Sequence, residues 1–148
     1  SKPYIPTRLA ILALDNNSTF ELKQLKDKII SYMPGTTHDS LAQYLQKNYK
    51  VKLFAEKDTK LREELLRSGK VNYLIGDVPD AMAYGYSPIY IFKEKSPEYF
   101  GILFYKNSVL FKKLNPTMSY FFGSKQFYKL VRTYLGEAAV SYFILDKT

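Results

Sequence analysis

Over the first 85 residues, short apolar runs alternate with stretches of helical periodicity. Few architectures accept that alternation. Each run needs cover on both faces, and each helix needs an apolar surface to lie on. Residues 8–14, Arg-Leu-Ala-Ile-Leu-Ala-Leu, fit a strand buried on both faces. Asp15-Asn16-Asn17-Ser18 reads as a turn, and Thr19 to Lys26 as a short helix carrying Leu22 and Leu25. Lys28 to Met33 is a second strand, broken by Pro34-Gly35. The next helix runs from about His38 to Tyr49, with Leu41, Tyr44, Leu45 and Tyr49 on one face. Val51 to Ala55 is a third strand. A helix follows, started by Asp58 or Thr59, faced by Leu61, Leu65 and Leu66, and closed by Gly69. Val71 to Gly76 is a fourth strand, and a short helix near Asp80 to Tyr84 comes after it. Strands and helices in this order predict an α/β fold with a parallel sheet flanked by helices.

The second half changes character. Pro88 to Phe92 and Tyr99 to Phe104 read as strands. Leu110, Leu114, Met118 and Phe121 mark a helix ending near Gly123, and their stripe is expected in the core. Gln126 to Leu135 is another helix, stopped by Gly136. The tail Ala138 to Leu145 is compatible with helix or strand and is expected as a strand.

Composition removes several function classes. There are no cysteines, which excludes disulfides and thiolate metal sites. One histidine, His38, argues against a histidine-based triad or zinc site, and it is expected on the surface. No apolar run is long enough for a membrane span. The net charge of +8 invites a nucleic-acid reading, but the lysines are dispersed, with no tight basic block. Solvated lysines on polar faces explain them, so no nucleic-acid partner is expected. Asp15, Asp39, Asp58 and Asp77 form no pair at a spacing that suits acid–base work. There is no Gly-x-Ser-x-Gly and no phosphate-binding glycine loop. The expectation is a protein that is not an enzyme and uses neither cofactor nor metal.

One constellation does carry chemistry. Met33-Pro34-Gly35-Thr36-Thr37 ends a strand and opens a helix, offering backbone N–H groups and two hydroxyls to an anion. Asp77 ends the fourth strand, at the sheet edge where α/β folds place their sites, and suits a cation. Together they suit a zwitterion such as a free amino acid. Gly35, Thr36, Thr37 and Asp77 are the candidate ligand-binding residues, and Met33 is a candidate for the pocket lining. Each has a plainer reading. The threonines cap a helix, Asp77 bonds its own turn, and Met33 packs in the core. Asp80 is expected as a solvated helix-start acid.

The order of these segments resembles the periplasmic solute-binding proteins of ABC transporters, of the polar amino acid-binding type. Ser1-Lys2-Pro3-Tyr4 is similar to the family's first crossing between lobes. Leu22 to Lys28 is similar to the opening of its second lobe, and Gly35-Thr36-Thr37 to its ligand turn. Leu66 to Asp77 resembles the stretch that leads to its ligand-binding acid, although Asn72 and Tyr73 stand where Asp and Ala are usual. Phe100-Gly101-Ile102 resembles the return crossing, and Tyr134-Leu135-Gly136 the family's terminal motif.

The resemblance implies a second ligand-binding lobe at residues 9–95. Residues 1–8 and 96–148 would supply hinge strands and a helical C-terminal remnant of the first lobe. Most of that first lobe, with its carboxylate-binding arginine and its covering aromatic, has no counterpart in the matched stretch. The implied function is binding of an amino acid for ABC-type uptake or ligand sensing, outside the cytoplasm, with a membrane permease or sensor as partner. The rival is a binding-protein half that contacts protein and no longer holds ligand. The helices near 108–122 and 125–135 would leave an apolar surface open, so a homo-oligomer, a symmetric dimer, is expected.

Overall fold

The computed structural model describes residues 1, 3–94 and 98–145. In chain order the strands are β1 (Ile5–Thr7), β2 (Leu9–Ala13), β3 (Ile29–Tyr32), β4 (Lys52–Ala55), β5 (Tyr73–Asp77), β6 (Ser87–Ile91) and β7 (Glu98–Phe100). The helices are α1 (His38–Tyr49), α2 (Thr59–Arg67), α3 (Val78–Tyr84), α4 (Val109–Phe121), α5 (Lys125–Leu135) and α6 (Glu137–Leu145). They form two compact units, Leu9–Glu94 and Ser1–Arg8 with the described residues after Glu94.

The Leu9–Glu94 unit is built on a five-stranded sheet of order β4-β3-β5-β2-β6. β3 pairs in parallel with β4 and β5. β2 is antiparallel to both of its neighbours, β5 and β6. Four strands therefore run one way and β2 the other, so the sheet is mixed and mostly parallel rather than fully parallel. Burial alone does not set strand direction. Leu9 to Leu12 are buried on both faces, as a central strand of either sense would be. Its partner β6 carries Pro88 opposite Leu12, beside a register shift. Proline donates no ladder bond, which suits its place on an edge strand at an irregularity.

Helices α1, α2 and α3 pack on this sheet. Ile11, Leu25, Ile30, Leu41, Leu45 and Ile75 are fully buried within its main core. α1 buries His38, Leu41, Ala42 and Leu45, spaced as one helical stripe. The stripe expected from sequence was turned: Tyr44 lies 44% exposed, and His38 is buried, not on the surface. α2 shows the same displacement. Leu61 is 43% exposed, and Arg62 takes the inward position with Leu65 and Leu66.

Asn72 keeps the β3–β5 ladder running past its last pair. Its side-chain oxygen accepts the Ile29 N–H at 2.8 Å, and its own N–H donates to the Ile29 carbonyl at 2.8 Å. The helix expected over Thr19–Lys26 shrinks to a 3-10 turn at Leu22–Leu25. Asn17 Oδ1 ties down Thr19, and Asp27 leaves in the left-handed region at φ 63°, so no longer helix fits between them.

In the other unit, β1 pairs antiparallel with β7. The strand expected to reach Phe104 stops at Phe100. The tail expected as a strand is helix α6, packed on α5. Its buried residues Ala139, Val140 and Phe143 recur at helical spacing, and Phe143 meets Phe127 at 6.3 Å between ring centroids. Among the described residues α4 buries no side chain, so the stripe Leu110, Leu114 and Met118 is not core.

Candidate functional site

β3 and β5 end side by side, and the chain leaves each toward the same edge of the sheet. After β3, Tyr32 leads through Met33-Pro34-Gly35 into α1, with Gly35 at φ 79°, a conformation glycine adopts without strain. After β5, Asp77 leads directly into α3. Between them lies a cavity of about 190 Å³. Met33, Thr36, Thr37 and Asp77 all line it, together with His38, Arg62, Glu63, Asp80, Tyr84 and Tyr86. Gly35 does not line it; its N–H donates to Asp39 Oδ2 at 2.8 Å.

The turn satisfies part of itself. Thr36 Oγ1 donates to the Met33 carbonyl at 2.7 Å and accepts the His38 N–H at 3.1 Å. The Asp39 N–H reaches the Thr36 carbonyl at 3.1 Å. With Met33, Gly35, His38 and Asp39 committed, the N–H groups of Thr36 and Thr37 are the open donors of the turn among the described residues. Thr37 is exposed, and its side chain makes no cap bond. These are the groups a helix start presents to an anion.

His38 is the first residue that sequence reasoning misplaced. Its Nδ1 accepts the Met33 N–H at 3.4 Å, so its proton sits on Nε2. Nε2 lies 3.8 Å from Asp77 Oδ2. The imidazole is thus bonded to the turn after β3 and stands beside the acid after β5. Spacing to Leu41, Ala42 and Leu45 was the signal that pointed it inward.

Arg62 is the second. It is 5% exposed and reaches the open end of the β3–β5 ladder. Nη2 donates to the Ser31 carbonyl at 3.2 Å and closely to the Ile75 carbonyl, and Nε to Ser31 Oγ at 3.4 Å. Burial lowers its proton affinity, and the nearby Tyr86, Glu56 and Asp80 partly restore it. Its spacing to Leu65 and Leu66 was the available signal.

Asp80 faces solvent on one side and the cavity on the other. Desolvation on the cavity side, then the neighbouring Asp77 charge, push its carboxyl above the usual range, with His38 and Arg62 opposing. Tyr86 is buried, and its hydroxyl makes no hydrogen bond of good geometry among the described residues. Burial and the Glu63 carboxylate raise it. Arg67 sits 5.8 Å over its ring, while Arg67 Nε donates to Glu63 at 2.9 Å. Among the described residues no cluster of His, Cys, Asp and Glu could hold a metal ion.

A cleft at the carboxyl ends of parallel strands, with a helix start on one side and an acid on the other, is a ligand-site geometry shared by many α/β proteins. Comparison with solved structures narrows it. An ancestral arginine-binding protein bound to glutamine superposes with a TM-score of 0.65 at 26% identity, over 93% of this chain and 63% of that one. The fold is that of the amino acid-binding substrate-binding proteins. An amino acid ABC transporter substrate-binding protein from Streptococcus pneumoniae, bound to L-arginine, gives a TM-score of 0.66 at 19% identity, over 95% of this chain and 60% of that one. An ancestral amino acid-binding protein, a precursor of cyclohexadienyl dehydratase, gives 0.68 at 18% identity, over 91% and 60%. The chain spans 60 to 63% of the lengths of these solved structures. No protein-family model and no curated protein matches the sequence. Among the described residues no helix of this binding-protein fold is long and apolar enough to cross a membrane.

Proposed function

We propose that this chain binds a small zwitterionic ligand, an amino acid, without catalysing a reaction. The observation that carries the reading is the shared cavity of Met33, Thr36, Thr37 and Asp77. Asp77 takes the ammonium group. The open N–H groups of Thr36 and Thr37, with the Thr37 hydroxyl, take oxygen atoms of the ligand. Met33 lines the wall beside them. On this reading the Leu9–Glu94 unit is the second ligand-binding lobe, and the other unit carries hinge strands and part of the first. The setting is extracytoplasmic, with uptake through an ABC-type permease or relay to a sensor as the output.

The test is a titration of free amino acids followed by amide and side-chain NMR. Shifts are expected at residues 33–38 and at Asp77, and Asp77→Ala should weaken binding by about tenfold or more, the scale of a lost charge-assisted contact. Shifts confined to residues remote from the cavity, or none, overturn the reading.

A second reading has its own observation. α4 buries none of its side chains among the described residues. A binding-protein half that contacts protein through such a face, without ligand, is the rival function.

A further inference from the structure

Arg62 brings a full positive charge to the floor of the cavity, yet no carboxylate lies within ion-pair distance of it among the described residues. The acids nearby are otherwise placed. Glu63 pairs with Arg67 at 2.9 Å, Glu56 accepts the Asp58 N–H at 2.9 Å, and Asp80 opens to solvent. A buried charge without a counter-ion is costly, and proteins remove that cost by pairing it.

Holding strand ends together does not explain the group. Carbonyl oxygens of Ser31 and Ile75 occupy Nη2, and Ser31 Oγ occupies Nε. A neutral donor would serve those acceptors without a buried charge. The remaining terminal nitrogen, Nη1, makes no hydrogen bond among the described residues, and it is not sealed from solvent. It has two protons to give, and its residue lines the cavity.

We infer that Arg62 is the anion anchor of this cavity, and that a carboxylate of the bound ligand pairs with its Nη1 edge. The inference rests on the proposed ligand site and adds a charged group to the pole that Thr36 and Thr37 form. Arg62 holds negative charge at the ends of β3 and β5, and Asp77, which lines the same cavity, holds positive charge. Both poles then lie within the Leu9–Glu94 unit, since Arg62, Asp77, Thr36 and Thr37 all belong to it. A guanidinium with Nε and Nη2 already engaged holds Nη1 in one orientation, so it offers a directed donor to a carboxylate oxygen.

The experiment uses two half-ligands. Succinate carries carboxylates and no ammonium group, and methylammonium the reverse. In the wild-type chain, succinate should shift the Arg62 guanidinium nitrogen signals and the amides of Thr36 and Thr37, and chloride at equal ionic strength should not. Arg62→Met should weaken succinate about tenfold or more and leave methylammonium at Asp77 unchanged. Arg62→Lys, which keeps the charge but loses the fixed orientation of Nη1, should recover part of the succinate affinity. If Arg62→Met does not fold, the wild-type guanidinium shifts decide alone.

Succinate binding that ignores Arg62→Met, or succinate that leaves the guanidinium signals unmoved, overturns the anchor. If amino acids then still shift the cavity residues, the proposed function stands without it. If succinate binds through Arg62 while no amino acid or methylammonium binds, the anchor stands and the amino acid reading falls.

Discussion

At the residue scale, two residues in the cavity wall, Asp80 and Gly76, set measurable consequences. The folded-state carboxyl of Asp80 is raised, first by desolvation and then by Asp77. A raised carboxyl favours the folded state while protonated, and that contribution is lost as pH rises through the folded value. Asp80→Asn is therefore expected to melt with wild type at pH below the ordinary aspartate range and above wild type near neutrality. Melting temperatures across that range check the sign; equal curves at both ends would remove the cavity as the cause. Gly76 is the other. A Cβ there would meet Leu12 Cδ1 at 2.7 Å, inside a sheet where Leu12 is 3% exposed. Gly76→Ala should cost about 1–3 kcal/mol in chemical denaturation, the usual scale of overpacking.

The sequence exposed part of this site and hid the rest for physical reasons. Gly35-Thr36-Thr37 and Asp77 stood out because turn chemistry and strand ends are local signals. His38 and Arg62 did not, because polarity argued for the surface while position on the helix argued inward. What faces them lies far along the chain: Asp77 stands 3.8 Å from His38, and Ser31 and Ile75 accept from Arg62. Such partners are invisible until the sheet is assembled.

At the element scale, α2 depends on its first turn. Asp58 accepts the Leu61 N–H at 2.9 Å and so satisfies one of the helix's open donors. Asp58→Ala should cost about 1 kcal/mol and, because α2 carries Arg62, loosen the cavity floor with it. Urea denaturation measures the first effect; broadening of the Arg62 side-chain signals reports the second. The elements also show how far pattern reading reaches. Strands β2 to β6 and helices α1 and α2 were legible from apolar runs and periodicity. The sense of β2 was not, because direction is set by which strands arrive as neighbours. α6 was misread because Ala139, Val140 and Phe143 satisfy a helix only when α5 is there to receive them.

For the whole molecule, the uneven distribution of apolar surface matters most. Leu103 and Tyr105 are 96% and 94% exposed, and Val109, Leu110 and Phe111 continue the open surface into α4. Large apolar side chains this open are a reason to look for a partner surface. We expect self-association into a symmetric dimer through α4, seen by sedimentation at micromolar concentration and abolished by Leu110→Glu. A wild-type chain that sediments as a monomer overturns this.

The reversed strand at the centre of the sheet also fixes an order of events during synthesis. β2 is the first strand made in its unit, but its ladder partners begin only at Leu74, opposite Leu12, and at Ser87, opposite Ala13. The most hydrophobic strand of the sheet must therefore wait, unpaired, until most of its unit has left the ribosome. Its neighbours then close around it and bring the two ends of the unit together, where the Phe92 N–H meets the Leu9 carbonyl at 3.0 Å. A nascent chain stalled before residue 87 presents Leu9–Ala13 to any holdase within reach, and release of that segment marks the moment the sheet closes.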